Sequence, residues 1–170
     1  QPELDALAAM IAQEWTPPPP PVIAPPPPPD NIPLPSRIID YVDQLPVNTD
    51  SPDWPYETRP LDAITSIIVH HSEAPADRSA EAIADYHAFT RGYPGISYHI
   101  YILGDGTILK TNYITTHSYH AGTWNRQTIG VCLAGSFTSS PPTPQQIDAA
   151  RFVIGWLTGA LGEKNILQHK

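Results

Sequence analysis

Residues 17 to 29 read PPPPPVIAPPPPP, ten prolines in thirteen positions, and no regular helix or sheet can run through them. Each proline fixes φ at about −65° and removes a backbone donor, which sets the stretch for a polyproline II rod rising about 3.1 Å per residue. The tract divides the 170-residue chain into three parts. Residues 17–30 read as a semi-rigid linker. Ahead of it, Leu4, Leu7, Ala8, Ile11 and Trp15 recur at three- and four-residue spacing, the apolar stripe of an amphipathic helix over residues 1–16. A helix this short is marginal alone in water and needs a surface to pack on. Behind the tract, residues 31–170 suffice for one domain with its own core.

Charge narrows the partners. Nine Lys and Arg stand against 17 Asp and Glu, a net charge of −8, and only 15% of residues are charged. Phosphate backbones are held by clustered Lys and Arg, so no nucleic acid partner is expected. No apolar run approaches the roughly 20 residues of a membrane span. The single cysteine, Cys132, rules out an internal disulfide framework. Residue 1 is Gln and no signal peptide is visible, so the sequence assigns no compartment.

Strands and helices alternate behind the tract. Arg37 to Leu45, with Ile38, Ile39 and Val42, predicts a short helix. Ile64 to His70 is β-branched and apolar, a buried strand. Ser79 to Phe89 predicts a helix, capped by Ser79, with Ile83, Tyr86 and Phe89 on one face. Ser97 to Leu103, Gly104-Asp105-Gly106-Thr107 and Ile108 to Lys110 form a hairpin. Thr128 to Gly135 is a second buried strand. Thr143-Pro144-Gln145-Gln146 is a capping box opening a helix that presents Ile147, Ala150, Ile154, Leu157 and Leu161 and closes at Gly162. Ile166 to Gln168 starts a last strand. The expected fold class is α/β (α+β), a central mixed β-sheet flanked by helices.

All seven histidines follow residue 69. His70 and His71 close the first strand, and strand neighbours point to opposite faces, so only one can face a shared site. Imidazole ligates zinc, and a catalytic zinc takes three protein ligands plus water. A hydrogen-bonded core histidine is the other reading, and no compact HExxH spacing decides between them. His169 ends the last strand in the same way. Tyr98, beside His99, either packs its ring on the sheet or offers a hydroxyl to a developing oxyanion. The loop from His117 to Asn125, which includes Tyr119, His120 and Trp124, is dense in side chains that bind or react. Cys132, central in an apolar strand, reads as an inert thiol. Ser72 lacks the GxSxG elbow of a serine hydrolase.

Five segments in this order carry a resemblance: Ile67-Ile68-Val69-His70-His71-Ser72, Ser97-Tyr98-His99-Ile100-Tyr101-Ile102, Gly104-Asp105-Gly106-Thr107, His120-Ala121-Gly122 with Asn125, and Ile129-Gly130-Val131-Cys132-Leu133-Ala134-Gly135. From about Ala63 to His169 the chain resembles the zinc-dependent N-acetylmuramoyl-L-alanine amidases, the family of amidase-type lysins, bacterial cell-wall amidases and animal peptidoglycan recognition proteins. The resemblance implies a peptidoglycan hydrolase that acts at the cell wall and cleaves the amide between N-acetylmuramic acid and L-alanine with a zinc-activated water. It implies Zn2+ ligands at His70 and His169 and a catalytic tyrosine at Tyr98. It places His120, Asn125, Trp124 and His99 along or beside the groove for muropeptides, and leaves His71 structural. A third ligand, Asp or Cys, follows the second histidine by eight to ten residues in the family, often with a lysine two before it. Those positions fall after Lys170, so the domain over residues 31–170 reads as truncated at its C-terminal end. A residue there that cannot ligate would imply the alternative, a non-catalytic peptidoglycan-binding receptor on the same fold.

Overall fold

The computed structural model of the protein describes residues 30–138 and 140–169, and the helix and proline tract expected before Asp30 lie outside them. Six strands form one mixed sheet: β1 (Ile38–Asp40), β2 (Ser66–His71), β3 (Ile100–Ile102), β4 (Ile108–Lys110), β5 (Thr128–Leu133) and β6 (Asn165–Gln168). Their spatial order is β1-β4-β3-β5-β2-β6. Only the β3–β4 hairpin is antiparallel; every other pairing is parallel. The centre of the sheet is β5 with its neighbours β2 and β3, and β5 is buried along its whole length.

Each face of the sheet carries a helix, as the alternating pattern predicts. Helix α2 (Pro144–Leu161) packs Ala149, Val153 and Leu157 on Ile67, Ile100, Ile102, Ile129 and Val131. Helix α1 (Ala80–Asp85), prolonged by a π-turn over Tyr86–Thr90, packs Ala80, Ile83 and Ala84 on the opposite face with Tyr101, Leu109 and Cys132. The capping box is present: Thr143 accepts from the Gln146 amide while the Gln146 side chain accepts from the Thr143 amide. Gly106 turns the hairpin at a φ of +86°, and a Cβ there would sit 2.9 Å from the Gln145 carbonyl oxygen, so the turn rests directly on the start of α2.

Three expectations change. Arg37 to Leu45 holds strand β1 and a single 3-10 turn at Val42–Gln44 in place of a helix, because Ile38–Asp40 completes the sheet beside β4. Tyr86 and Phe89 point outward, at 50% and 63% exposure. The inward stripe of α1 and its π-turn is Ala80, Ile83, Ala84 and Ala88, three of whose four positions are small alanines. Asp30, placed in the linker by its neighbours in sequence, belongs to the domain. Its buried carboxylate accepts from the Ile114 and Thr115 amides at 2.6 and 2.9 Å and pairs with Lys110 at 3.3 Å.

Candidate metal centre and groove

The register of three parallel strands builds the site. His70 on β2 lies opposite Cys132 on β5, and Val69 lies opposite Gln168 on β6. The His169 amide donates to the Val69 carbonyl at 3.1 Å and extends that ladder, so His169 follows beside His70. Their rings lie 4.6 Å apart. His71 takes the other face, where its Nδ1 accepts from the Phe137 amide and its ring stacks on Phe137. The alternation that lets one of the two histidines into the site thus selects His70.

His120 meets the same ring. Its Nδ1 lies 2.9 Å from His70 Nε2, and its own Nε2 lies 3.3 Å from the Thr128 carbonyl oxygen. A carbonyl only accepts, so the proton of His120 is on Nε2 and its Nδ1 accepts. His70 is then the donor through Nε2–H, and its Nδ1 lone pair is left unspent. Burial first, and the neighbouring His120, His169 and His71 after it, lower the His70 pKa to about 2. It is neutral at physiological pH, the form that ligates a metal. Burial likewise lowers His120 to about 3, against the opposing pull of the Thr128 carbonyl.

Room for His120 comes from a missing side chain. Gly130 lies in the interior of β5, and a Cβ on it would stand 2.8 Å from both Cγ and Nδ1 of the His120 ring. A strand glycine marks the close approach of another group, and here the group is the imidazole that steers His70.

Tyr98 flanks the pair, with its ring 5.3 Å from that of His70. Burial, followed by the adjacent Cys132, raises its pKa, so the hydroxyl keeps its proton and remains a donor. The regular part of β3 begins only at Ile100, so Tyr98 sits on the approach to the strand and not within it. From Tyr98 a chain of ring contacts passes through the half-buried His87, Tyr93 and Tyr119 to the buried Tyr56, with successive ring centroids 5.5, 6.1, 5.3 and 5.3 Å apart. His87 and Tyr93 had no role in the sequence reading. The available signal was the stripe of α1, since His87 follows Ile83 by four residues.

The remaining sequence candidates divide. His99 is fully buried; its Nδ1 accepts from the Gly130 amide at 3.0 Å and its Nε2–H donates to the Thr116 carbonyl at 2.9 Å. Both ring nitrogens are committed, so His99, expected along or beside the groove, stands beneath the site as a support and not as a substrate contact. Arg59 lies 3.1 Å from the same Nε2, a donor facing a donor, and its guanidinium instead serves the carbonyls of Asn125 and Ile114. Asn125 is also buried, and its side chain accepts from the Ala121 amide at 2.6 Å. It shapes the loop and does not line the groove. Trp124 stands on the adjoining 3-10 turn (Gly122–Gln127), 53% exposed and free for contact.

Two imidazoles converging from adjacent strands, one with an unspent nitrogen, suit zinc as two of its ligands. Among the described residues no group of three His, Cys, Asp or Glu completes a set. Among the described residues no helix is long and apolar enough to cross a membrane.

Comparison with known proteins finds similar sequences and similar folds. Curated relatives include peptidoglycan-recognition protein 1 of Holotrichia diomphalia, 29% identical over 106 residues, covering 58% of this chain and 52% of the relative. Another is peptidoglycan-recognition protein LB of Drosophila melanogaster, 31% identical over 98 residues, covering 53% and 42%. The chain spans about half the length of the curated relatives it matches. Among solved structures, the Ph2119 endolysin of a Thermus scotoductus bacteriophage superposes with a TM-score of 0.68 at 23% identity, covering 78% of this chain and 84% of the endolysin. Drosophila PGRP-LB superposes with a TM-score of 0.66 at 23% identity, covering 78% and 81%. These structural matches show the fold. The Amidase_2 family model, N-acetylmuramoyl-L-alanine amidase, matches residues 60–170, the stretch that holds β2 to β6, and the chain belongs to that family.

Proposed function

We propose that the protein hydrolyses the amide between the lactyl group of N-acetylmuramic acid and L-alanine of the peptidoglycan stem peptide, with zinc held by His70 and His169. The observation that carries this reading is the pairing of the two rings at 4.6 Å with His120 spent on the far nitrogen of His70. Zinc bound there supplies a water of pKa about 7 and a Lewis acid for the amide carbonyl. His120 fixes the tautomer of His70 and so keeps Nδ1 available, the orienting task that outer partners of metal-ligating histidines perform. Tyr98, protonated and beside His70, donates to the oxygen on which charge develops, a contribution of about 3 to 4 kcal/mol in other hydrolases. The half-buried rings of His87, Tyr93 and Tyr119 offer aromatic contacts to sugar and peptide. Support for the substrate class comes from the family and from a structural neighbour, a mutant of Drosophila PGRP-LB in complex with tracheal cytotoxin.

Those aromatic rings also support a second reading, a receptor that binds muropeptides without cleaving them, in line with the recognition proteins among the relatives. His70→Ala and His169→Ala separate the two. Under the amidase reading each variant loses zinc and cleavage together while muropeptide binding persists. Native protein that binds muropeptide with equal affinity with and without zinc, and releases no peptide, would instead establish the receptor.

A further inference from the structure

Arg59 carries a buried charge that no step of the amidase reading uses. The residue is 3% exposed, and its guanidinium is directed at backbone oxygens: it donates to the Asn125 carbonyl and, at 3.3 Å, to the Ile114 carbonyl. We propose that Arg59 is a positioning residue for the metal site, which clamps the loop carrying His120 at both ends and so fixes the hydrogen bond that sets the tautomer of His70. The inference rests on the amidase reading for the use made of that site, and deepens it.

The first argument is the place of the two carbonyls. His120 and Trp124 stand on the segment between Thr116 and β5, which runs as loop and one 3-10 turn (Gly122–Gln127). Ile114 lies just ahead of that segment and Asn125 near its end, so one planar group holds both ends. The backbone joins the same seam. The Arg59 amide donates to the Thr115 carbonyl at 2.8 Å, Thr58 bridges Thr116, and the His117 amide donates to the Glu57 carbonyl at 2.8 Å. Residues 57–59 thus splint the start of the loop, and two of their side chains reach across to its far end. Glu57 meets Arg126 at 3.3 Å on the surface, where both are well exposed and such a pair contributes little. Arg59 makes the crossing inside.

The second argument is cost. A guanidinium taken out of water is expensive unless it is paired. The acceptors of Arg59 are carbonyls and not carboxylates, and its Nε–H is buried without a partner among the described residues. Burial lowers its pKa to about 10, with Asp30 as the charge opposing the shift. What offsets that cost is rigidity: a planar fork of several N–H groups ties two separate carbonyls into one unit, which the point charge of a lysine does not. The charge also acts on His99. It stands 3.1 Å from Nε2 and, after burial, is the largest influence lowering the pKa of that ring. His99 stays neutral, and its Nδ1 accepts from Gly130, the glycine that seats His120.

The experiment uses the full 170-residue chain, metal-free, with the ring nitrogens of His120 followed by NMR; zinc itself is then titrated against a competing chelator. In the native chain His120 should show one tautomer, with Nε2 protonated and Nδ1 bare. Arg59→Lys keeps the charge and loses the fork. With the core amides of β5 unchanged, it should mix the two tautomers of His120 and weaken zinc binding by about tenfold, the low end of what outer partners of metal ligands contribute. Arg59→Met should do as much or more. Arg126→Gln, which opens the exposed pair with Glu57 on the same loop, should change neither readout. A merely structural Arg59 would lower the urea midpoint and leave the tautomer and zinc affinity of the folded variants at native values, and that result would overturn the proposal. So would mixed tautomers already in the native chain, an Arg126→Gln effect equal to that of Arg59→Lys, or a chain that folds with neither replacement, which would make Arg59 a determinant of the whole domain. Amide cleavage enters none of these readouts. A native chain with one His120 tautomer and bound zinc but no cleavage would refute the amidase reading and leave this one standing.

Discussion

Gly130→Ala is the sharpest perturbation of the site that leaves every functional side chain in place. The new methyl would stand 2.8 Å from Cγ and Nδ1 of His120 and 3.2 Å from its Cδ2. Carbon contacts settle at about 3.5 to 4.0 Å, so the ring must retreat by roughly 0.7 Å. The ring is held from both ends, at 2.9 Å by His70 and 3.3 Å by Thr128, and a retreat of that size breaks one of the bonds. Overpacking costs about 1 to 3 kcal/mol and a lost buried hydrogen bond about 1 kcal/mol. The lower backbone entropy of alanine in the unfolded chain returns about 0.5 to 1 kcal/mol. The net destabilisation is about 2 kcal/mol, small enough for a domain of ordinary stability to remain folded. Urea denaturation of a double-mutant cycle isolates the clash: in a His120→Ala background Gly130→Ala should cost less than about 0.5 kcal/mol, giving a coupling energy near 2 kcal/mol. Strict additivity of the two changes would refute the claim that Gly130 exists to seat His120.

Two further outcomes follow from the same geometry. Tyr98→Phe should leave fold and zinc content intact while reducing muropeptide cleavage by about 10²-fold or more, read as a fall in kcat with KM little changed; an unchanged kcat would reassign Tyr98 to packing. Stability should fall on mild acidification, because burial lowers the pKa of His87 to about 4 and that of fully buried His99 well below its ordinary value. Each takes up a proton on unfolding below pH about 6.5, contributing a slope of about 1.4 kcal/mol per pH unit, and the His87 share ends near pH 4. The stability is thus present above pH about 6.5 and lost on the acid side; a urea midpoint that is flat from pH 7 to 5 would contradict the burial of both rings.

The parts of the fold that rest on long apolar runs were legible in the sequence. β2 and β5 stand where their β-branched residues put them, and α2 starts at the cap that Thr143 and Gln146 form. β1 was not legible, because three residues of Ile-Ile-Asp carry no period and the strand exists only through its partner β4. The face of α1 was misjudged for a related reason: alanines contribute little hydrophobic signal, yet Ala80, Ala84 and Ala88 are what allow the helix to approach the sheet. For the site, strand alternation separates His70 from His71 but does not say which of them faces inward. The resemblance set His120 and His99 along or beside the groove, and the structure instead commits both rings inside the fold. Their duties depend on which carbonyls they meet, Thr128 and Thr116, and pairings so distant in fold leave no local pattern. Gly130 was the one unread clue, a glycine in the middle of an otherwise apolar strand.

The central claim is water attack on the muramoyl–alanine amide, and isotope placement tests it most directly. A defined muropeptide is incubated with the zinc-loaded protein in H2(18)O and the products are resolved by mass spectrometry. Amide hydrolysis transfers the water oxygen to the acyl side, so the account predicts one 18O in the lactyl carboxylate of N-acetylmuramic acid and an unlabelled stem peptide with a free L-alanine N-terminus. Recovery of intact muropeptide from protein that binds it, or label appearing in the peptide or at a glycosidic carbon, would contradict the account.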